Sequence, residues 1–267
     1  IAALLHQRRP DLVIVLGSRV VPTAAVEQLR GGGDARWVQV LGDDLRDADG
    51  AAQEAAAYHD VFVPSSATLQ HFDRYGIKHA HYLALGCDPS VHKPLRARGP
   101  FRANIVFVGS ANSRRERFLS ELVEFGLAVW GHGWRKTSLK DYCRGELPGT
   151  EDFVRAYAGA TVAVNIHRTG SDDRNDPAGV NRRTFELAAI GVTQVVDHRH
   201  DLPSHFEDAS EVLTYATPEE LKGQVKRAVQ EDRYRERLAE AARQRALREH
   251  TYMHRMGQLL RTTTGNE

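Results

Sequence analysis

Cysteine is scarce in this chain. Only Cys87 and Cys143 occur in 267 residues, too few and too far apart for a disulfide framework or a grouped zinc site, and such usage fits a reducing compartment. Long apolar runs are missing as well. None approaches the ~20 residues that span a bilayer, and Ile1 opens without a basic leader, so the expectation is a cytoplasmic chain with no transmembrane segment. Nor is there an excess of charge of one sign. The 36 Lys and Arg face 35 Asp and Glu, which excludes a general field for nucleic acid and leaves any nucleotide recognition to a local site. No repeat of 20 to 50 residues and no low-complexity tract is present. What remains is 41 % hydrophobic and 27 % charged residues, the make-up of an ordinary globular protein, in a chain long enough for two domains.

Short β-rich runs alternate with helical stretches, the rhythm of a parallel α/β layer. Strands are expected at 11–16, 37–41, 61–63 and 80–85, each ending in a polar or Gly-containing cluster. Ligand crevices in such sheets lie outside the strands' carboxyl ends. The run Lys93-Pro94-Leu95-Arg96-Ala97-Arg98-Gly99-Pro100 is basic, holds two prolines and reads as a linker. A second α/β unit then opens at Ala103, with further strands expected near 127–130, 161–166, 193–197 and 212–215. Thr217-Pro218-Glu219-Glu220 is a capping box with Pro at the first helical position, and a long charged helix from about Asp232 to Leu260 breaks near His250-Thr251. The expected division is 1–97, 98–217 and a helical end, 218–267, returning to the first domain.

Two places carry chemistry. Ile105 to Val108 is a strand, Gly109-Ser110-Ala111-Asn112 a small-residue turn, and Ser113 to Glu116 a capping box that opens a helix. Strand, turn and helix start form an anion site because unpaired N–H groups and the helix dipole converge there, with Arg114 and Arg115 alongside; an ordinary βα turn has the same outline. In Asn181-Arg182-Arg183-Thr184-Phe185-Glu186 to Gly191, Phe185 and Ala188 turn inward while Arg183 and Glu186, three apart, share another face. A carboxylate so placed can accept both ribose hydroxyls and a guanidinium can grip a diphosphate; the same spacing also suits a surface ion pair.

Taken in order, these pieces resemble the retaining GT-B glycosyltransferases of the group 1 type, most closely the CgeB-like subgroup. The resemblance rests on Asp60-Val61-Phe62-Val63-Pro64-Ser65, Leu85-Gly86-Cys87-Asp88-Pro89 through Pro94, Val106-Phe107-Val108-Gly109, Gly131-His132-Gly133-Trp134, Arg183-Thr184-Phe185-Glu186 and His250-Thr251-Tyr252-Met253-His254-Arg255. It runs through nearly the whole chain. It implies two Rossmann-like domains facing across a cleft, the first one short, and transfer of a sugar from a nucleoside diphosphate sugar to an acceptor hydroxyl or similar group without metal or cofactor. Glu186 would bind the ribose, and Arg115, with Arg114 and Arg183, the diphosphate. Gly109, Ser110, Gly131, His132, Gly133, Trp134 and Asn181 would surround the donor, Trp134 either stacking on it or packing in the core. Asp43 and Asp44 stand where many relatives have His-Asp, as candidates for sugar contact or acceptor deprotonation, although adjacent aspartates also cap helices. Retaining relatives often carry a second Glu eight residues before Glu186; here that position is Ala178, in a polar loop from Arg168 to Gly179, and the stereochemical outcome is left open.

The same sequence admits other readings. Asp197, His198 and His200, with His205 near in sequence, form the best metal candidate, but His-x-His after a strand is more often an exposed loop, and no metal is expected. The arginines of the C-terminal helix are interleaved with Glu236, Glu240 and Glu249, favouring a solvated face over nucleic acid and leaving peripheral contact with anionic lipid open. A nucleotide-sugar-binding module without activity is the first alternative. A Rossmann oxidoreductase or epimerase is disfavoured, since no strand is followed by the glycine spacing that a dinucleotide pyrophosphate needs.

Overall fold

The computed structural model describes residues 1–42, 47–97, 99–168 and 178–265. The chain forms two compact units. The first comprises Ile1–Leu85, the short stretch ending at Val180 and the residues from Met253 onward; the second begins at Gly86 and resumes from Asn181 to Tyr252. The segment from Lys93, read as a linker, therefore belongs to the second unit, and Leu95 packs against its core.

In the first unit the order is α1 (Ala2–Arg8), β1 (Leu12–Leu16), α2 (Thr23–Arg30), β2 (Arg36–Val40), α3 (Ala48–Ala55), β3 (Asp60–Val63), α4 (Ser66–Arg74) and β4 (Ala80–Tyr82). The four strands make one parallel sheet in the order β1-β2-β3-β4. Strand periodicity explains how it is buried. Trp37, Val61 and Val63 join Val26, Ala51, Ala52 and Phe72 in one cluster. The alternate residues Val38 and Phe62 lie on the other face with Leu83 and Leu259.

In the second unit β5 (Ala103–Val108), α5 (Ser113–Ser120), β6 (Leu127–Trp130), α6 (Thr150–Ala158), β7 (Ala160–Asn165), α7 (Arg182–Ile190), β8 (Gln194–Asp197) and β9 (Leu213–Tyr215) are followed by α8 (Pro218–Gln230) and α9 (Asp232–Glu249). The strands form a parallel sheet ordered β6-β5-β7-β8-β9. Alternation again divides the core. Ile105, Phe107, Val162 and Val164 pack with Phe118, Leu119, Leu221 and Val225 from α5 and α8, and Val106, Ala128 and Ala163 with Val154, Leu187 and Ile190 from α6 and α7. Helices thus cover both faces. The chain runs from β5 outward to β6, then crosses back to β7, which makes the carboxyl ends of β5 and β7 the switch point where doubly wound sheets open a crevice.

The final helix, α10 (Tyr252–Thr264), lies almost wholly in the first unit, where Arg255 Nε donates to Leu85 O (2.9 Å), Gln258 to Tyr82 O (3.1 Å), and Leu259 is buried. The expected break in the long helix falls at His250-Thr251, and the Thr217–Glu220 capping box is formed on both sides. The box expected at Ser113–Glu116 is not. The cap is Asn112, whose side chain accepts from Arg115 N (2.8 Å), because Glu116 is engaged elsewhere and accepts from Ser138 N and Oγ (both 2.7 Å). Among the described residues no helix is long and apolar enough to cross a membrane.

Candidate active site

The switch point of the second sheet is lined by arginines held on backbone carbonyls. Arg115, in the first turn of α5, spans it: Nη1 donates to Ser110 O and Nη2 to Ile166 O, both 2.9 Å, just beyond the ends of β5 and β7. Arg183, in the first turn of α7, reaches the same strand end, donating through Nη1 to Val108 O (2.6 Å) and to the Tyr157 hydroxyl (2.9 Å). Its guanidinium stands 4.6 Å from the Phe153 ring centre, a cation–π contact that steadies a desolvated charge. Among the described residues no carboxylate lies within ion-pair distance of Arg115. Burial first, and then the Arg183 charge, draw its pKa down to about 10. Loss of water penalises the charged guanidinium first, and the like charge nearby adds to that penalty. The starts of α5 and α7 add the positive ends of two helix dipoles.

Asn181 explains why α7 begins here. Its Oδ1 caps the helix, accepting from Thr184 N (3.1 Å) and from Asn165 Nδ2 (3.1 Å), while its own amide donates to Asn165 Oδ1 (3.0 Å). A reciprocal amide pair thus ties the N-cap to the last residue of β7. At the far end Gly191 closes the helix at φ 79°, a left-handed C′ position that glycine adopts without strain.

Glu186, one turn into α7, is buried. Its cationic or ring-nitrogen neighbours stand at Arg183 Nε (3.5 Å), Arg182 Nε (3.7 Å) and His92 Nε2 (3.7 Å), beyond hydrogen-bond length. His92 Nδ1 accepts from Asp88 N (3.1 Å), so its proton sits on the Nε2 that faces Glu186. The carboxylate is surrounded by donors yet keeps its acceptor capacity.

Gly131, His132, Gly133 and Trp134 support the β5 turn from beside it. Gly109 N donates to Trp130 O and Ala111 N to His132 O, both 2.8 Å. The Trp134 indole donates to Gly109 O (2.7 Å), is fully buried and meets Phe107 edge-on at 5.8 Å. Its ring therefore packs in the core and acts on the turn through one hydrogen bond. Trp134→Phe is expected to cost about 1–2 kcal/mol, read as a lower urea midpoint at unchanged m-value. The His132 side chain is exposed, 3.4 Å from Glu146, and Ser110 is exposed.

The structure thus brings Gly109, Ser110, Arg114, Arg115, Asn181, Arg183 and Glu186 to one sheet edge and the starts of two helices. Asp43 and Asp44 lie outside the described residues, as does most of the loop from Arg168 to Gly179; Ala178 is buried. Among the described residues no three of His, Cys, Asp and Glu converge as a metal set; His198 and His200 are exposed, while Asp197 turns inward. The sequence reading missed Tyr157, His167, Asn165 and the role of Asp197. One signal was present: Asn165 and His167 are polar residues at the end of an otherwise apolar run.

The scattered motifs also meet. Phe185 packs edge-on against His205 and His250 (ring centres 5.3 Å each), and the His250 ring hydrogen-bonds His205 O (3.0 Å). Cys87 N donates to His250 O and Tyr252 N to Cys87 O, both 2.9 Å. The Gly86-Cys87, Phe185-Glu186 and His250-Thr251 segments are therefore one packed support under Glu186.

A family model described as glycosyl transferase-like matches residues 114–261. Among solved structures, a glycosyltransferase from Rickettsia africae superposes over 100 % of this chain and 80 % of its own, with TM-score 0.72 at 12 % identity. Sucrose-phosphate synthase from Thermosynechococcus elongatus covers 99 % and 76 % (TM-score 0.69, 15 % identity), and Anabaena HepE in complex with UDP covers 99 % and 82 % (TM-score 0.69, 13 % identity). No curated protein matches. The fold is that of the GT-B glycosyltransferases, as expected, and the matched residues include α5 from Arg114 onward, α7 and every arginine of the switch point described above. The chain belongs to the glycosyl transferase-like family.

Proposed function

We propose that the second unit binds a nucleoside diphosphate sugar at the β5/β7 switch point and that the protein transfers its sugar to an acceptor hydroxyl. The observation that carries this reading is the Arg115–Arg183 pair. Two guanidiniums are pinned to the carbonyls of one crevice, and each has a buried Nε–H with no hydrogen bond. A diphosphate supplies the acceptors and the negative charge that this arrangement favours. Glu186, surrounded by donors at 3.5–3.7 Å, is suited to the two hydroxyls of a ribose. Anabaena HepE in complex with UDP or UDP-glucose, similar in fold, makes the uridine series the first donors to try. The motif series supports a place beside the CgeB-like subgroup.

As the glycosidic bond breaks, negative charge grows on the departing diphosphate. Arg115, Arg183, Arg114 and the N–H groups at the starts of α5 and α7 are fixed before that charge appears, which is the preorganisation that lowers such barriers. We take the reaction to be metal-independent on this ground. Transfer measured with excess EDTA is expected to equal transfer without it; a loss restored by a divalent cation would refute that part. Asp43 or Asp44 remains our candidate for contact with the sugar or for taking the acceptor proton. Glu186→Gln, which weakens the acceptor group for the ribose, is expected to raise Kd for UDP-glucose about tenfold or more, one to two charge-assisted hydrogen bonds' worth, read by calorimetry.

A further inference from the structure

Beside Arg115 and Arg183 lies a buried polar chain that includes Arg114 and ends on the cap of α7. His167, two residues past β7, donates through its backbone N–H (2.9 Å) and ring Nδ1 (2.6 Å) to Asp197 Oδ1 at the end of β8. Its other ring nitrogen, Nε2, accepts from Asn181 N (2.9 Å), at the cap of α7. Asp197 Oδ2 faces Arg114 Nη2 at 3.1 Å, and Arg114 Nη1 reaches His167 O (3.4 Å). The directions leave no choice of tautomer. A backbone N–H only donates and a carboxylate only accepts, so the ring is neutral, with its proton on Nδ1.

We propose that His167 and Asp197 are a positioning pair for donor binding: the neutral imidazole holds the Asn181 cap, and with it Arg183 and Glu186, in place, and protonation of His167 releases the donor. This rests on the donor site proposed above. A doubly protonated ring would set one N–H against another across 2.9 Å, and the α7 start would have to move.

The surroundings agree. Burial above all lowers the basicity of His167, and Arg199 and Arg114 add to it, against the pull of Asp197. Burial would raise the Asp197 carboxyl, but the His167 contacts and Arg114 outweigh it and keep it below the usual carboxylate range. Tyr215 on β9, which donates to Asn165 O (3.2 Å), is held protonated by burial and by the Asp197 charge. The sign follows. A histidine less basic in the fold than in the unfolded chain costs nothing above about pH 6.5; as pH falls below that value the unfolded chain and any opened α7 take up the proton first.

The test is calorimetric titration of UDP-glucose from pH 4.5 to 8 with wild type, His167→Ala and His167→Gln. A sugar-linked diphosphate lacks the terminal phosphate that titrates near pH 6, so the probe itself stays constant. The wild type is expected to bind evenly above pH 6.5 and to lose affinity tenfold or more on acidification. His167→Ala binds at least tenfold more weakly than wild type above pH 6.5 and approaches it as the pH falls. His167→Gln, whose amide oxygen can accept from Asn181 N and does not titrate, recovers most of that loss and has no acid limb of this kind. The same acid limb in His167→Gln, or a flat wild-type profile, overturns the pair. Absence of binding by the wild type at pH 7.5 of UDP-glucose and of every other common nucleoside diphosphate sugar instead rejects the donor site; where another of these binds, the same titration is made with it. Should the variants fail to fold, the ¹⁵N spectrum of wild-type His167 decides: the proton must sit on Nδ1, and ring protonation must coincide with loss of affinity. A proton on Nε2 overturns the proposal.

Discussion

Arg183→Ala is expected to lower kcat/KM for sugar transfer by about 100- to 1,000-fold, the range for removing one preorganised donor from a developing negative charge, or ~3–4 kcal/mol of transition-state stabilisation. The side chain does three things at once. It donates to Val108 O and the Tyr157 hydroxyl, it lies over Phe153, and its Nε points along Glu186. Its loss therefore removes positive charge from the switch point and also leaves the β5 carbonyl and the tyrosine without that donor, which adds roughly 1–3 kcal/mol of instability. Arg183→Lys separates the two effects. A lysine keeps the charge but cannot donate to two protein oxygens and a diphosphate in one plane, so stability should recover more than activity. Equal recovery of both would mean that Arg183 serves only the fold.

The second large effect is expected at a glycine. Gly131 adopts φ 129°, a backbone region that side chains rarely enter. A β-carbon placed there would lie 2.7 Å from the Gly109 carbonyl carbon and closer still to its oxygen. The obstacle is backbone, and the Gly109 carbonyl is already held by the Trp134 indole, so the β5 turn must shift. Gly131→Ala should cost about 2–3 kcal/mol from strain alone, a melting temperature lower by roughly 4–12 °C. Since the turn carries Ser110, whose carbonyl anchors Arg115, donor affinity should fall with it. Gly76→Ala is the control: its φ of 78° is also positive, but a β-carbon there meets nothing within 4 Å and its amide bonds Asp73 O in the first unit, so it carries strain without touching the turn and should spare affinity.

The alternation of apolar runs and helical stretches was enough to find, among the described residues, all nine strands of the two sheets to within a few residues, because parallel strands buried on both faces leave unbroken hydrophobic runs. Strand order was not legible. Whether β7 pairs with β5 or with β6 depends on the handedness and reach of the crossovers, and it is this order that creates the switch point. Site residues divided in a similar way. Arg115, Arg183 and Glu186 stood out because charge at helical spacing beside a small-residue turn suggests anion binding. Trp134 was ambiguous, since an indole after Gly-x-Gly fits a base or a core equally well, and only its burial and its bond to Gly109 O decide. The cap of α5 was misassigned by one residue because Ser113 and Glu116 have the spacing of a capping box, while the competing partner of Glu116, Ser138, lies 22 positions away. His167 and Asp197 were invisible as a pair for the same reason: 30 residues separate them, and although each stands at the polar end of an apolar run, nothing local joins one to the other.

The central claim is that the carboxyl ends of β5 and β7, with Arg115, Arg183 and Glu186, hold the diphosphate and ribose of a nucleotide sugar. It is tested most directly by titrating UDP, UDP-glucose and the other common nucleoside diphosphate sugars into wild type, Arg183→Ala and Glu186→Gln at pH 7.5. The account predicts saturable one-site binding of at least one donor, weakened tenfold or more by each substitution while both variants remain folded. Saturable binding left unchanged by both substitutions, or no binding of any nucleotide by the wild type, would contradict it.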